Sequence, residues 1–294
     1  MSLRVVSAIA LLIASCARAG YLHAPTPAAE VSPAACAATA EDPLLACAPV
    51  VLQEFAAGPS AILDRPTPFD PEGSGYLADD LAAWRRQPRP GLVPFYASLN
   101  QDAERLYLFY GLYYPADWSG PPGKPRIDHA GDMEGALVVA ARRSGRVEAV
   151  ITQAHKLFYL WTLDPAAHPR AASGPISLTP TGRPILFAES GGHGLYALGA
   201  GRWTPRGGGR YPQGPAAVPE SRLLRIELAP EGAHAGPRAA AEIRPLDQLR
   251  AYRDLPRGAR PPREWQDRRG LGSRGALIAN PAGLLAVLER ASRP

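Results

Sequence analysis

The sequence predicts a mainly β protein, an antiparallel β-sandwich with a few short peripheral helices. Three observations lead there. Short apolar runs follow one another closely, with Gly- and Pro-containing turns between them. Pro at 33 and Gly at 29 in 294 residues exceed ordinary usage and favour turns over long helices. The strand-like runs do not alternate with helical ones, which argues against a βαβ fold. A hydrophobic fraction of 46% suffices for a core and argues against wholesale disorder.

The amino terminus reads as an export signal over residues 1–19. Arg4 supplies a positive start, and the apolar stretch 5–14 is too short to span a bilayer. Two processing sites overlap. Ile13-Ala14-Ser15-Cys16 resembles a lipobox and would leave a lipidated Cys16, while Ala17-Arg18-Ala19 suits cleavage after Ala19. Residues 20–43 are rich in Ala and Pro and lack apolar periodicity, as in a tether. Cys36 and Cys47 are then the only other cysteines, and in an oxidising compartment so close a pair is expected to form a disulfide; two reduced buried thiols are the alternative.

Residues 44–294 are expected to form one β-sandwich domain ending in a helical extension. The first strand is placed at 48–53, followed by a loop rich in Pro and carboxylates over 62–73 and a short amphipathic helix at 77–86. The aromatic run 105–114 is too apolar for a sheet edge, and Pro115 is expected to end it. A loop should then reach residue 126, with strands following at 136–141, 147–152 and 156–162 and a hairpin turn at Ser144-Gly145-Arg146. Residues 164–184 read as a polar loop, 185–190 and 221–228 as strands, and 199–219 as a surface excursion. Helices are expected at 246–255 and 281–289, the latter capped by Asn280 with Pro281 in its first turn.

Chemistry concentrates in Asp128-His129-Ala130-Gly131-Asp132-Met133-Glu134-Gly135, where a loop is expected to feed a strand. In a strand, Asp132 and Glu134 share one face and Met133 takes the other. Gly131 has the freedom to turn His129 back over the acidic face. Neighbouring carboxylates repel, and a divalent cation is the usual means of holding them together. This oxygen-rich set suits Ca²⁺ or Mg²⁺ ahead of Mn²⁺, and Asp117 and Asp128 are available as further ligands. His155 and His193 each follow an expected strand and are the candidates for acid/base work. Ala188-Glu189-Ser190-Gly191-Gly192 only loosely matches a nucleophile elbow and lacks the helix that motif requires.

Tyr113-Tyr114-Pro115-Ala116-Asp117 and His129-Ala130-Gly131-Asp132-Met133-Glu134, followed by a Val-rich strand, resemble the core of the necrosis-inducing phytotoxin family, a wider group that includes relatives of vacuolar protein sorting protein 62. The resemblance implies a β-sandwich with a divalent cation at Asp117, His129, Asp132 and Glu134. It extends to His155 and to Ser190-Gly191-Gly192-His193-Gly194. The toxins' Gly-His-Arg-His-Asp-Trp-Glu is altered here to Asp128-His129-Ala130-Gly131-Asp132-Met133-Glu134, which removes the signature tied to plant-cell lysis.

The net charge of +5 comes from scattered arginines, with Lys only at 124 and 156 and no interleaved aromatic platform, so no nucleic-acid partner is expected. The leading expectation is an exported, lipid-anchored, metal-binding β-sandwich that binds a glycan or lipid headgroup at a cell surface, touching the membrane only through its anchor. A metal-dependent hydrolase using the same site and a structural protein with a loop-stabilising metal are the alternatives.

Overall fold

The computed structural model describes residues 35–36, 41–68, 92–121, 124–154, 157–164, 172–198, 218, 220–228, 237–246 and 275–290. The export signal with Cys16, the helix expected at 77–86 and most of the helix expected at 246–255 lie outside the described residues.

Among the described residues, eleven strands form a single sheet: β1 (Val50–Glu54), β2 (Leu92–Gln101), β3 (Arg105–Ser119), β4 (Arg126–Ala141), β5 (Val147–Ala154), β6 (Leu157–Thr162), β7 (Ala172–Pro175), β8 (Ile185–Ala188), β9 (Leu195–Ala197), β10 (Leu223–Glu227) and β11 (Arg238–Pro245). Their order is β7-β6-β5-β4-β3-β2-β11-β10-β1-β8-β9. β9 returns against β5 and β4, so the sheet nearly closes on itself. The expected antiparallel sandwich is therefore corrected to a mixed, barrel-like sheet. Four neighbouring pairs are parallel: β1 with β8, β10 with β11, β11 with β2, and β6 with β7. The physical reason lies in the connections. Local hairpin turns reveal antiparallel neighbours, whereas a parallel pair needs a crossover connection with no turn motif of its own, whether its strands are consecutive, as β6 with β7 and β10 with β11, or distant, as β1 with β8 and β11 with β2.

The long β3–β4 hairpin is the spine of the sheet. It is paired from Arg105↔Ala141 to Ser119↔Arg126. β3 continues past Pro115 instead of ending there. The β2 ladder on its other side stops at Tyr96↔Gly111, so Pro115 stands where β3 has lost one neighbour and a missing N–H is tolerated. The expected loop 116–126 and loop-borne motif are thus largely strand. β7 lies within the expected loop 164–184, while β2 and β11 went unforeseen. The turn at 144–146 is present: Gly145 donates to the Ala141 carbonyl at 2.7 Å and has φ +64.

Two apolar layers flank this spine. Inward residues of β3 and β4, including Leu108, Tyr110, Leu112, Ala136 and Val138, join Val51, Phe95, Trp161 and Ile226 in the barrel interior. Outward residues Tyr107, Phe109, Leu137 and Val139 are covered by α2 (Ala276–Ala279) and α3 (Pro281–Arg290) through Leu277, Ile278, Leu284 and Leu285. Each such leucine is worth roughly 1.5–3 kcal/mol by burial. α3 begins as expected: Asn280 Oδ1 accepts from the Gly283 N–H at 3.1 Å. At the other end α1 (Pro43–Ala46) is capped by Asp42, whose Oδ1 accepts from the Leu44 N–H at 2.8 Å.

Cys36 and Cys47 are joined by a disulfide, and both are buried against the barrel interior. The bridge ties part of the expected tether to the folded body. Replacing both cysteines with serine should lower unfolding stability by about 3 kcal/mol, the entropy released by so short a loop. Denaturant titration of the mature protein with and without reductant checks this; equal midpoints would contradict it.

Candidate functional site

Within β4, Asp132 is opposite Tyr114 and Glu134 is opposite Leu112. Asp132 and Glu134 are buried, at 3% and 1% exposure, on the face that continues inward to Ala136 and Val138. Met133 lies in the outer layer with Leu137. The alternation expected from the sequence is present, although the motif sits inside a strand and not on a loop. Gly131 has φ +62 and interrupts the extended backbone where a side chain would be strained.

His193 comes to this face from the β8–β9 connection. It is fully buried, and its Nδ1 lies 3.0 Å from Asp132 Oδ2. Its Nε2 lies 3.4 Å from Asp64 Oδ1, an ion-pair contact without hydrogen-bond alignment. Tyr114 stacks on the ring, with centroids 3.9 Å apart and planes within 3°. The imidazole is thus held edge-on by two carboxylates and flat-on by a phenol, a setting that favours the cation.

Asp64 is the second anchor, and sequence reasoning left it within an undifferentiated loop. Its Oδ2 accepts from the Ala56 N–H at 2.7 Å, and its Oδ1 from Trp118 Nε1–H at 2.9 Å and the Gly191 N–H at 2.8 Å. Asp64 is wholly buried. Several charge-assisted bonds of this kind offset the cost of burying a carboxylate. Gln53 extends the network, accepting from the Tyr114 hydroxyl at 2.7 Å and donating to the Glu189 carbonyl at 3.3 Å.

The β8–β9 connection is therefore tied at successive points. The Ser190 N–H faces Glu54 at 3.4 Å, the Gly191 N–H faces Asp64, and His193 bridges Asp64 and Asp132. Glu54 has its carboxyl pushed up by burial, with the Arg222 guanidinium at 2.8 Å partly offsetting this. Glycine is required for close packing within the chain: at Gly191, φ +87, a Cβ would lie 2.9 Å from the Trp118 carbonyl, and at Gly194 it would lie 2.7 Å from Ala154 Cβ. His193 itself has φ +54, an uncommon conformation for a residue with a side chain.

Burial alone would favour neutral His193. The hydrogen bond to Asp132 and the negative charges of Asp132 and Asp64 outweigh it and raise the ring's pKa from an ordinary 6.5 to about 9. Tyr114 is held protonated well above its usual range by burial and by the surrounding charges of Asp132, Glu134 and Asp64.

Of the expected ligands, Asp132 and Glu134 lie on the interior face, while Asp117 is half-buried and pairs in register with His129. The side chains of His129 and His155 lie outside the described residues. Asp132 Oδ2 already faces the imidazole, so a cation on that oxygen would press against the ring's charge. Among the described residues, no three His, Cys, Asp or Glu side chains converge as a metal cradle. Ser190 stands between two strands, without the helix that a nucleophile elbow needs. Asp64, Tyr114, Trp118 and Gln53 were missed; the one local signal was the placement of Asp64 among apolar residues in Ile62-Leu63-Asp64.

A pKa raised on folding contributes stability that is complete below about pH 6.5 and is lost as pH rises through about 9. The wild type should lose on the order of 3 kcal/mol across that window, and His193→Asn should lack this dependence. Denaturant midpoints between pH 6 and 10 check it; parallel profiles for the two proteins would contradict it. Trp118→Phe removes one donor from Asp64 and should cost about 1–3 kcal/mol, measured in the same assay.

No protein-family model and no curated protein matches the chain. Solved structures do. Necrosis and Ethylene inducing Protein 2 from the causal agent of cocoa's Witches Broom disease matches with 19% identity and a TM-score of 0.28 over 38% of this chain and 49% of that one. A structure described as a toxin fold for microbial attack and plant defense matches with 20% identity and a TM-score of 0.32 over 53% and 77%. NLPPya in complex with mannosamine matches with 19% identity and a TM-score of 0.26 over 38% and 48%. The chain spans about half the length of the first and third of these. It is similar, over part of its length, to necrosis- and ethylene-inducing proteins.

Proposed function

We propose that this protein is an exported binding protein of the cell envelope, presenting the 126–131 end of its β3–β4 hairpin to a glycan or lipid headgroup. The observation that carries binding over catalysis is the state of His193. Of the two acid/base candidates, the one among the described residues, His193, is completely buried, and both its ring nitrogens face carboxylates. A general acid or base must reach the proton it transfers, and this imidazole is committed to holding the scaffold.

The ligand class follows from what that end of the hairpin offers to solvent. Arg126 and Asp128 are exposed and pair at 3.0 Å, and Asp117 is half-buried on the neighbouring strand. Exposed carboxylates accept from hydroxyl and ammonium groups, and the guanidinium donates to hydroxyl or phosphate oxygens. Sugars and headgroups carry these groups. Export is supported by the disulfide between Cys36 and Cys47, a bond of oxidising compartments, and by the residue pattern of segment 1–19. A lipid on Cys16, with the stretch before Cys36 as a spacer, would hold the protein at a membrane surface.

A glycan array and vesicles carrying anionic or zwitterionic headgroups, each probed with the mature chain, test the reading. Asp128→Asn together with Arg126→Gln should reduce binding about tenfold while leaving the fold intact, since both side chains are exposed. The reading fails if neither probe is retained by the wild type, or if the double variant binds as the wild type does. Sensitivity of processing to globomycin tests the lipid anchor.

A further inference from the structure

We propose that the end of the barrel carrying the Cys36–Cys47 bridge seats on the membrane that holds the protein, so that the rim at Arg126 and Asp128 points away and takes its ligand from a facing surface. The inference rests on the anchored binding role proposed above and adds the side from which the ligand comes.

Position is the starting point. Cys36 Sγ lies 3.4 Å from the Gly145 carbonyl oxygen, so the bridge holds the amino-terminal segment against the β4–β5 turn. A chain leading back to Cys16 therefore leaves the folded body at that turn. Arg126 and Asp128 lie at the other end of β4, which runs from Arg126 to Ala141. At ordinary strand rise the two ends are roughly 50 Å apart.

The bridged end also exposes apolar surface. Leu45 of α1, two residues before Cys47, is 51% exposed. Leu99, 40% exposed, lies near the end of β2, where the strand enters the turn 102–104. That turn is tied to the β4–β5 turn: the Arg142 N–H donates to the Glu104 carbonyl at 2.7 Å, and Arg142 Nη1 donates to the Asp102 carbonyl at 3.0 Å. Leu92 and Leu157, the other large apolar side chains exposed among the described residues, stand apart at the starts of β2 and β6.

Charge at this end suits a phospholipid surface. Arg142, Arg143 and Arg146 are exposed around Gly145, and guanidinium groups pair well with phosphate oxygens. Several nearby carboxylates are engaged within the protein. Asp102 accepts from the Glu104 and Arg105 N–H groups and the Tyr107 hydroxyl, Asp42 accepts from the Leu44 and Leu45 N–H groups, and Glu148 pairs with Arg105. Among the described residues this leaves Glu41 and Glu104 to set against the three arginines. Exposed leucines beside arginines match the boundary between acyl chains and headgroups.

For the test, the mature chain from Gly20 carries an amino-terminal histidine tag. It is held on phosphatidylethanolamine–phosphatidylglycerol vesicles containing a nickel-chelating lipid and a headgroup nitroxide quencher. A dye is attached through an encoded azide at Ser144 or at Lys124. The dye at Ser144 should be strongly quenched, and the dye at Lys124 should stay as bright as in free protein. Leu45→Ser with Leu99→Ser changes only exposed side chains, and should lower the ratio of seated to unseated protein about tenfold. Equal quenching at the two positions, stronger quenching at Lys124, or a double variant that seats as the wild type does would each overturn the proposal. Globomycin-insensitive processing would remove the anchor and the proposal with it. Failure to retain any glycan or headgroup would strike the binding role alone, since the quenching pattern needs no ligand.

Discussion

A buried carboxylate is tolerated only where its charge is answered, and here Asp64 and Asp132 answer to a single ring. His193 stands between them, fully buried, at 3.0 Å from one and 3.4 Å from the other. Removing either partner would strand a charge in the interior, the costly way to break a buried pair. The rest of this end of the barrel is arranged around that constraint. Tyr114 covers the ring, Gln53 holds the Tyr114 hydroxyl, and the backbone of Gly191 and the indole of Trp118 saturate Asp64.

This arrangement explains why the nearly closed sheet has a polar end. Most of the interior is aliphatic and aromatic, built from β1, β3, β4, β8 and β10. Where β8 passes into β9, side-chain carboxylates add to the backbone bonds from Glu189 N–H to the Gly194 carbonyl and from Trp118 N–H to the Gly191 carbonyl. Glu54, Asp64 and Asp132 receive Ser190, Gly191 and His193 there.

The same constraint separates scaffold from surface. Groups with the chemistry for catalysis are drawn inward: His193, Asp64, Asp132 and Glu134 are all buried. Among the described residues, Arg126 and Asp128 lie outward on the same hairpin, with Lys124 exposed nearby in its connection and Asp117 half-buried on the neighbouring strand. The proposed binding role would fall to these exposed side chains and leave the buried network as scaffold.

Period-two alternation placed Asp132 and Glu134 on one side and Met133 on the other, because each strand residue turns the opposite way from its neighbour whatever the fold around it. The aromatic run from Arg105 marked a central strand, and Asn280 with Pro281 marked a helix start, since capping and burial are local demands. The Cys36–Cys47 bridge was equally legible from proximity. The parallel neighbours of β1, β2 and β6 were not, nor was the partner of His193. Asp64 comes within reach of the His193 loop across a separation of 127 residues, measured at Gly191, and no spacing rule spans such a distance. The sequence alone determined which side chains share a face; which carboxylate meets which imidazole was decided only by the closure of the sheet, because contacts between distant segments are set by how all the strands pack together.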